Sequence, residues 1–282
     1  MKFARASAEI FIPDRVPVSK ALSRTTAMCI AAHPDDIEIM APHAILDGFG
    51  RTDRWFTGVV VTDGAGSPRS ARYARFTDRQ MRAVRRREQK KAAVVGEYGA
   101  LVMLDHPGSA VKNARAQDVR EDLCRLLLAA APDVVIGHNP ADKHDTHVAL
   151  ALRTLEALRA LPAKARPRKF YGGEVWRDLD WMPDGEKVLW DISLRENIQS
   201  ALLGVYDSQI SGGKRYDLAA VARRRAAATY SQSHRVDTAT ALSTAMDLTP
   251  LLRDVRIDPG EYVGDMIDRF RKEVLKKMER FL

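Results

Sequence analysis

The chain has 282 residues, 45% hydrophobic and 29% charged, which excludes intrinsic disorder and fibrous repeats and leaves ample material for a packed core. Its 45 Lys and Arg against 37 Asp and Glu give a net charge of +8, which favours acidic or phosphate-bearing partners but says nothing about fold. Two cysteines, Cys29 and Cys124, are too few for a disulfide framework, and no run nears the ~20 apolar residues of a membrane helix. With no apolar leader in the first 20 residues either, a cytoplasmic protein is expected.

Taken in chain order, residues 1–25 read as an N-terminal arm, broken by Pro13 and Pro17. Regular patterning starts at Thr26. Short apolar runs at 27–32, 55–62, 100–104 and 133–136 have the character of strands buried on both faces. Helical patterns lie between them: 42–49, a helix from Asp78 to about Val95 opened by a Thr77-to-Gln80 capping box, 117–131, and 148–161. For the last of these, Asp145 or Thr146 is the expected cap. Strands alternating with helices imply right-handed crossovers and a mainly parallel sheet flanked by helices, a Rossmann-like three-layer α/β fold. The later sequence is less regular. Strands are expected at 169–176 and 187–192, with a turn at Pro183-Asp184-Gly185 between them, and helices at 193–206, 216–228 and 262–282. No composition shift marks a second domain, so 26–282 is read as one domain with a helical C-terminal elaboration from about 210.

Chemistry concentrates after two strands. The first ends in Ala32-His33-Pro34-Asp35-Asp36-Ile37-Glu38. Ligands of open parallel sheets bind at the carboxyl ends of strands, and carboxylates buried there need a partner such as a cation. His33 and Asp36 could face one ion; alternatively, Asp35 or Asp36 caps the next helix. No glycine lies between Ala31 and Leu46, so the G-x-G-x-x-G of a dinucleotide site is absent. The fourth strand leads into Gly137-His138-Asn139-Pro140-Ala141-Asp142-Lys143-His144-Asp145-Thr146-His147, holding three of the chain's seven His. Imidazole plus carboxylate suits zinc with an open position for water, whose pKa then falls towards ~7 so that a neighbouring carboxylate takes its proton. A second His can return a proton to the leaving group. These are the parts of a metal-dependent amidohydrolase.

The two motifs together resemble the PIG-L/LmbE-like zinc-dependent N-acetylglucosaminyl deacetylases, over roughly residues 26–210. The resemblance implies zinc on His33, Asp36 and His147, Asp35 as general base, and His144 as acid and oxyanion stabiliser. Val61-Thr62-Asp63-Gly64 is similar to the family's loop after the second strand, Arg85-x-x-Glu88 to its R-x-x-E, and Ser208-Gln209 to its S-Q. Asp63, Arg85 and Asp142 are accordingly candidates for substrate binding. It further implies one Zn²⁺, with Fe²⁺ or Co²⁺ able to use the same ligands, and a small-molecule N-acetylated amino sugar or glycoconjugate as partner.

Read from the residues alone, Arg85 and Glu88 share an inward helical face, either as a structural ion pair or with Arg85 reaching a pocket. Arg85-Arg86-Arg87 and Arg223-Arg224-Arg225 make no stripe on a helix, so nucleic acid is not expected. His43 and His106 have no sequence neighbours that suggest a site, and the basic loop 64–76 is either a lid or a surface loop. Competing functions are a metal-binding but catalytically idle relative and a polyanion-binding protein. Phosphoester hydrolysis is disfavoured, because the ligands suffice for one metal only. A homo-oligomer is left open.

Overall fold

The computed structural model describes all of residues 1–282. Eight strands form one sheet: β1 (Glu9–Phe11), β2 (Ala27–Ala31), β3 (Phe56–Thr62), β4 (Ala100–His106), β5 (Val134–His138), β6 (Lys169–Gly173), β7 (Lys187–Asp191) and β8 (Leu242–Asp247). Their order is β1-β4-β3-β2-β5-β6-β8-β7. The five inner strands from β4 to β6 are parallel, and β1, β8 and β7 add antiparallel pairs at the two ends.

Alternation along the strands explains the three layers. Met28, Ile30, Val59, Val102 and Val135 belong to one apolar cluster, whereas Cys29, Ala31, Val60, Leu101 and Ile136 belong to another. Each side chain in these two sets is fully buried or nearly so, so the sheet is covered on both faces. Burying one such Val, Leu or Ile contributes about 1.5–3 kcal/mol.

In chain order the helices are α1 (Val18–Ser23), α2 (Asp36–Met40), α3 (Pro42–Gly48), α4 (Asp78–Val95), α5 (Gly108–Lys112), α6 (Asp118–Ala130), α7 (Asp145–Ala160), α8 (Glu196–Gly204), α9 (Asp207–Ile210), α10 (Tyr216–Tyr230), α11 (Thr249–Arg253) and α12 (Pro259–Met278). The capping box forms as its sequence requires: Thr77 Oγ1 accepts from Gln80 N at 3.3 Å while Gln80 Oε1 accepts from Thr77 N at 2.8 Å.

Four expectations are corrected. Residues 1–25 are no free arm: β1 pairs with β4, Glu9 opposite Met103, and the buried Asp122 carboxylate accepts from Ala4 N. Three residues are too few to show a period, and the open edge of β4 supplies their order. α7 starts at Asp145, with His144 at the N-cap position and no side-chain cap. Apolar periodicity begins only at Val148 because the first turn carries polar residues of the site. The C-terminal part is not purely helical, since it contributes β8. That strand separates β6 from β7, so the two are not a hairpin around Pro183-Asp184-Gly185. Leu-Ser-Thr-Ala-Met-Asp has too little apolar character to announce a strand, yet Ser243 to Met246 are buried once it is paired on both sides.

Strand order reverses between β2 and β5, which pair in register Ala27 to Val134, Met28 to Val135 and Cys29 to Ile136. Crossovers leave these two strands in opposite directions, opening a crevice at their carboxyl ends. Both chemical motifs leave the sheet there.

Candidate metal and hydrolytic site

His33 follows β2, Asp36 opens α2, and His147 sits in the first turn of α7. Their donor atoms close a triangle. His33 Nδ1 is 3.2 Å from Asp36 Oδ2 and 3.1 Å from His147 Nε2, and the third edge, His147 Nε2 to Asp36 Oδ2, is 3.2 Å. His147 is fully buried and Asp36 nearly so, while His33 is partly exposed. Burial pushes the Asp36 carboxyl up, but His147 and His33 outweigh it and hold that group well below the usual carboxylate range. Burial lowers His147, and Asp36 with Asp142 more than reverses this, to about 9.

The turn between β2 and α2 depends on Asp35, a non-glycine residue at φ 88°. Such a conformation costs of order 1–3 kcal/mol and persists only where its surroundings impose it. Gln89 does so: its Oε1 accepts from Asp35 N at 3.2 Å while its Nε2 donates to Glu38 Oε1 at 2.9 Å. Glu38 also accepts from the hydroxyls of Tyr98 at 2.5 Å and Tyr206 at 2.6 Å. Asp35 occupies the N-cap position of α2 without a side-chain capping bond. Its carboxylate instead faces Arg85 at 3.4 Å. Burial is the main reason its pKa rises to about 8, with Arg85 opposing and Asp36 and Glu38 adding to the rise.

Four further placements bear on the sequence reading. Arg85 reaches the site, bonding Asp35 and the Pro34 carbonyl. Glu88 does not pair with it; Glu88 accepts from Ser208 N at 2.6 Å and Ser208 Oγ at 2.5 Å, so of the two alternatives the Arg85–Glu88 ion pair is not the one made. Asp63 lines the pocket, its Oδ1 taken by Ala65 N at 3.0 Å. Asp142 does not line it. An Asx turn to His144 N at 3.0 Å carries its carboxylate behind His147, 3.5 Å from Nδ1 and 3.3 Å from Trp176 N. Gly64, at φ 66°, passes so close to Pro34 that a Cβ would lie 3.2 Å from the proline ring.

No role was assigned to His138 from sequence, yet it lies inside the cluster. Its ring stacks on His147 with centroids 3.9 Å apart, and its Nε2 is 3.5 Å from Asp36 Oδ2. That nitrogen accepts from Ala32 N at 2.9 Å, so its lone pair is spent and its proton sits on Nδ1. His138 is therefore a poor ligand, and burial holds it neutral by lowering its pKa well below the usual value. His144 lies on the other side, its ring 4.9 Å from that of His33 and 4.7 Å from that of His147. Burial first, then the charges of His147 and His33, lowers its pKa.

The donor set fits one first-row dication. Ligands held at ~2.0–2.2 Å from a common centre stand a little over 3 Å apart, which is the spacing of this triangle. In this cluster the buried nitrogens without a hydrogen-bond partner are Nδ1 of His138, His144 and His147, none of them a corner of the triangle.

His33 and Asp36 line a chamber of about 440 Å³ whose walls include Asp35, Thr62, loop residues Gly64 to Pro68, and His144, while His147 lies buried behind them. Trp176, Gln209, Lys214 and Tyr216 close it from the C-terminal half. Only Gln209 among these stood in a sequence motif; the other three lie in irregular loops or at a helix start and carry no local signal. Loop 64–76 is pinned where Arg69 pairs with Asp78 and Arg72 with Asp207. The other arginines of the two runs, Arg87 apart, are likewise spent on the protein. Arg86 pairs with Glu9 and Asp105, Arg223 and Arg224 donate to backbone carbonyls, and Arg225 pairs with Glu196.

The family model described as PIG-L, GlcNAc-PI de-N-acetylase, matches residues 28–158. No match to a curated protein sequence is found. Among solved structures, N,N'-diacetylchitobiose deacetylase from Pyrococcus horikoshii aligns at 16% identity with a TM-score of 0.62, over 82% of this chain and 86% of its own. The A40926 pseudoaglycone deacetylase Dbv21 aligns at 17% and 0.57, over 79% and 97%. GalB, the 4-carboxy-2-hydroxymuconate hydratase from Pseudomonas putida KT2440, aligns at 16% and 0.59, over 79% and 96%. These likenesses bear out the Rossmann-like α/β fold. Residues 28–158, the stretch that carries both motifs, are what the PIG-L family model matches.

Proposed function

We propose, from the match of residues 28–158 to that family model, that the chain is a metal-dependent amidohydrolase that removes the acetyl group of an N-acetylated amino sugar or related glycoconjugate, giving acetate and a free amine. The observation that carries this reading is the triangle of His33, Asp36 and His147 donors, with His33 and Asp36 lining one chamber together with Asp35 and His144. The shared fold alone does not choose the reaction, since the hydratase has it too.

His33, Asp36 and His147 would hold the metal, for which zinc is the proposed ion and Fe²⁺ or Co²⁺ the alternatives. When bound, it supplies a Lewis acid that polarises the acetamide carbonyl and acidifies water. Asp35 accepts the proton of the attacking water. The turn that Gln89 braces keeps its carboxylate off the triangle, and Arg85 orients it. His144 donates a proton to the amide nitrogen as the C–N bond breaks, so that a neutral amine departs. Asp142, behind His147, orients that ligand. Trp176 and Tyr216 give the sugar ring an apolar wall, and Asp63 and Arg85 offer it polar contacts.

The test is metal analysis of the purified protein combined with acetate release from a panel of N-acetylated amino sugars, with and without a chelator. Chelator-sensitive acetate release is expected. Tight metal binding with no release from any member identifies the idle relative. Binding to polyanions that falls steeply with salt and ignores the chelator identifies the third reading. No helix is long and apolar enough to cross a membrane.

A further inference from the structure

Trp176 and Tyr216 meet edge to face, with ring centroids 5.9 Å apart. They wall the catalytic chamber and also a second chamber of about 210 Å³. The two differ in character. Three of 18 residues around the first are hydrophobic, against seven of 11 around the second, among them Ile39, Val175, Ala220 and Leu242. The charged groups at the second chamber are already committed. Arg223 donates to Val175 O at 2.7 Å, Arg224 to Glu38 O at 2.6 Å, and Glu174 accepts from Leu179 N at 2.7 Å. A polar guest would find few free partners there, whereas an apolar guest gains burial at no polar cost. Glu174 and Arg223 also line a third cavity, a groove of about 590 Å³. The three spaces thus share walls in series, leading away from the metal-binding donors. Every residue of the second chamber except Ile39 lies outside the segment matched to the family.

We infer that the second chamber is the subsite for an apolar aglycone. The substrate is then an N-acetylated amino sugar whose anomeric substituent is an apolar chain or ring about the size of a hexyl group, reaching past Trp176 and Tyr216 while the acetamide lies at the donor triangle. This rests on the deacetylase reading and adds the class of substrate. A lengthened N-acyl group would offer the same apolar chemistry from the other end of the sugar, so the test separates the two.

The experiment uses the full-length, metal-loaded protein and compares the methyl, butyl and hexyl β-glycosides of N-acetylglucosamine with the methyl glycoside of N-hexanoylglucosamine. The expected result is a rise of about tenfold or more in kcat/KM from methyl to hexyl, carried by KM, with no gain for the N-hexanoyl compound. Ala220→Trp, which fills the chamber, should bring the hexyl-to-methyl ratio close to one; Ala219→Leu does so more gently should the larger side chain prevent folding. Binding of hexyl β-glucoside, which has no acetamide, is followed by calorimetry in the same proteins and should weaken in the filled variants. Acetate release indifferent to aglycone length would overturn the subsite and leave the deacetylase reading intact. A preference for the N-hexanoyl compound would assign the chamber to the acyl group and overturn the aglycone proposal. No acetate from any glycoside, with hexyl glucoside still bound in the chamber, would remove the deacetylase reading and support the apolar glycoside site by itself.

Discussion

Two buried clusters pair histidine with aspartate, and they behave differently. His106, at the end of β4, lies 2.9 Å from Asp122 on α6. Asp122 also accepts from Arg125 at 2.8 Å and from Ala4 N at 3.0 and 3.2 Å, so its lone pairs are all spent. At the other cluster one oxygen, Asp36 Oδ2, accepts from His33 N at 2.8 Å and also faces His33 Nδ1 and His147 Nε2 at equal distance. That cluster opens into a chamber; the Asp122 pair does not. A saturated carboxylate holds structure, here the N-terminal segment against α6. Donor atoms of three side chains that converge on one point are placed for a cation.

The comparison breaks first at His147. His147→Ala should lose stoichiometric metal and reduce acetate release to background; elemental analysis showing one metal per chain in the variant would remove His147 from the ligand set. The next largest effect is expected at Asp35. Asp35→Asn should keep metal while kcat falls by about 10²–10⁴-fold, the usual contribution of a positioned base. Wild-type turnover would leave Asp35 as a structural turn residue only. Asp142→Asn should weaken metal affinity by about 10–100-fold, as loss of a ligand's outer partner does, read by competition with a chelator. Asp122→Ala tests the structural side: about 3–5 kcal/mol of stability should be lost in denaturant unfolding, with turnover per folded molecule unchanged. A loss of turnover at constant folding would show that the Asp122 pair belongs to the chemistry.

The smallest effect concerns His43, which stacks on Trp190 with centroids 3.4 Å apart. Burial lowers its pKa from 6.5 to about 3. Its folded value lies below the unfolded one, so the stability it contributes is present above pH 6.5 and is lost as pH falls from there towards 3. His43→Phe should therefore flatten that stretch of the stability-against-pH curve. Parallel curves for wild type and variant would show that His43 titrates normally.

Much of this was legible in the sequence because it is local. Strand cores at β2 to β5 follow from uninterrupted apolar runs, and the Thr77 capping box from its spacing alone. The turn after β2 and the cluster after β5 announced themselves as polar residues where a buried strand ends. The end of a parallel strand at the reversal of strand order is where ligands bind, so even the meeting of the two motifs was foreseeable.

What only the tertiary structure decided is the allocation of partners. β1 and β8 are strands because a sheet edge was free to pair with them, and nothing in Glu9–Phe11 or Leu242–Asp247 says so in isolation. His138 spends its Nε2 lone pair on Ala32 N, across 106 positions of sequence. Arg85 turns to Asp35 rather than Glu88 because Ser208 arrives to satisfy Glu88. Trp176, Lys214 and Tyr216 become walls of the chamber only when the C-terminal half folds back over the parallel half. A hydrogen-bonding group satisfies itself with whatever the fold brings within about 3 Å, so these outcomes depend on contacts that no local pattern contains.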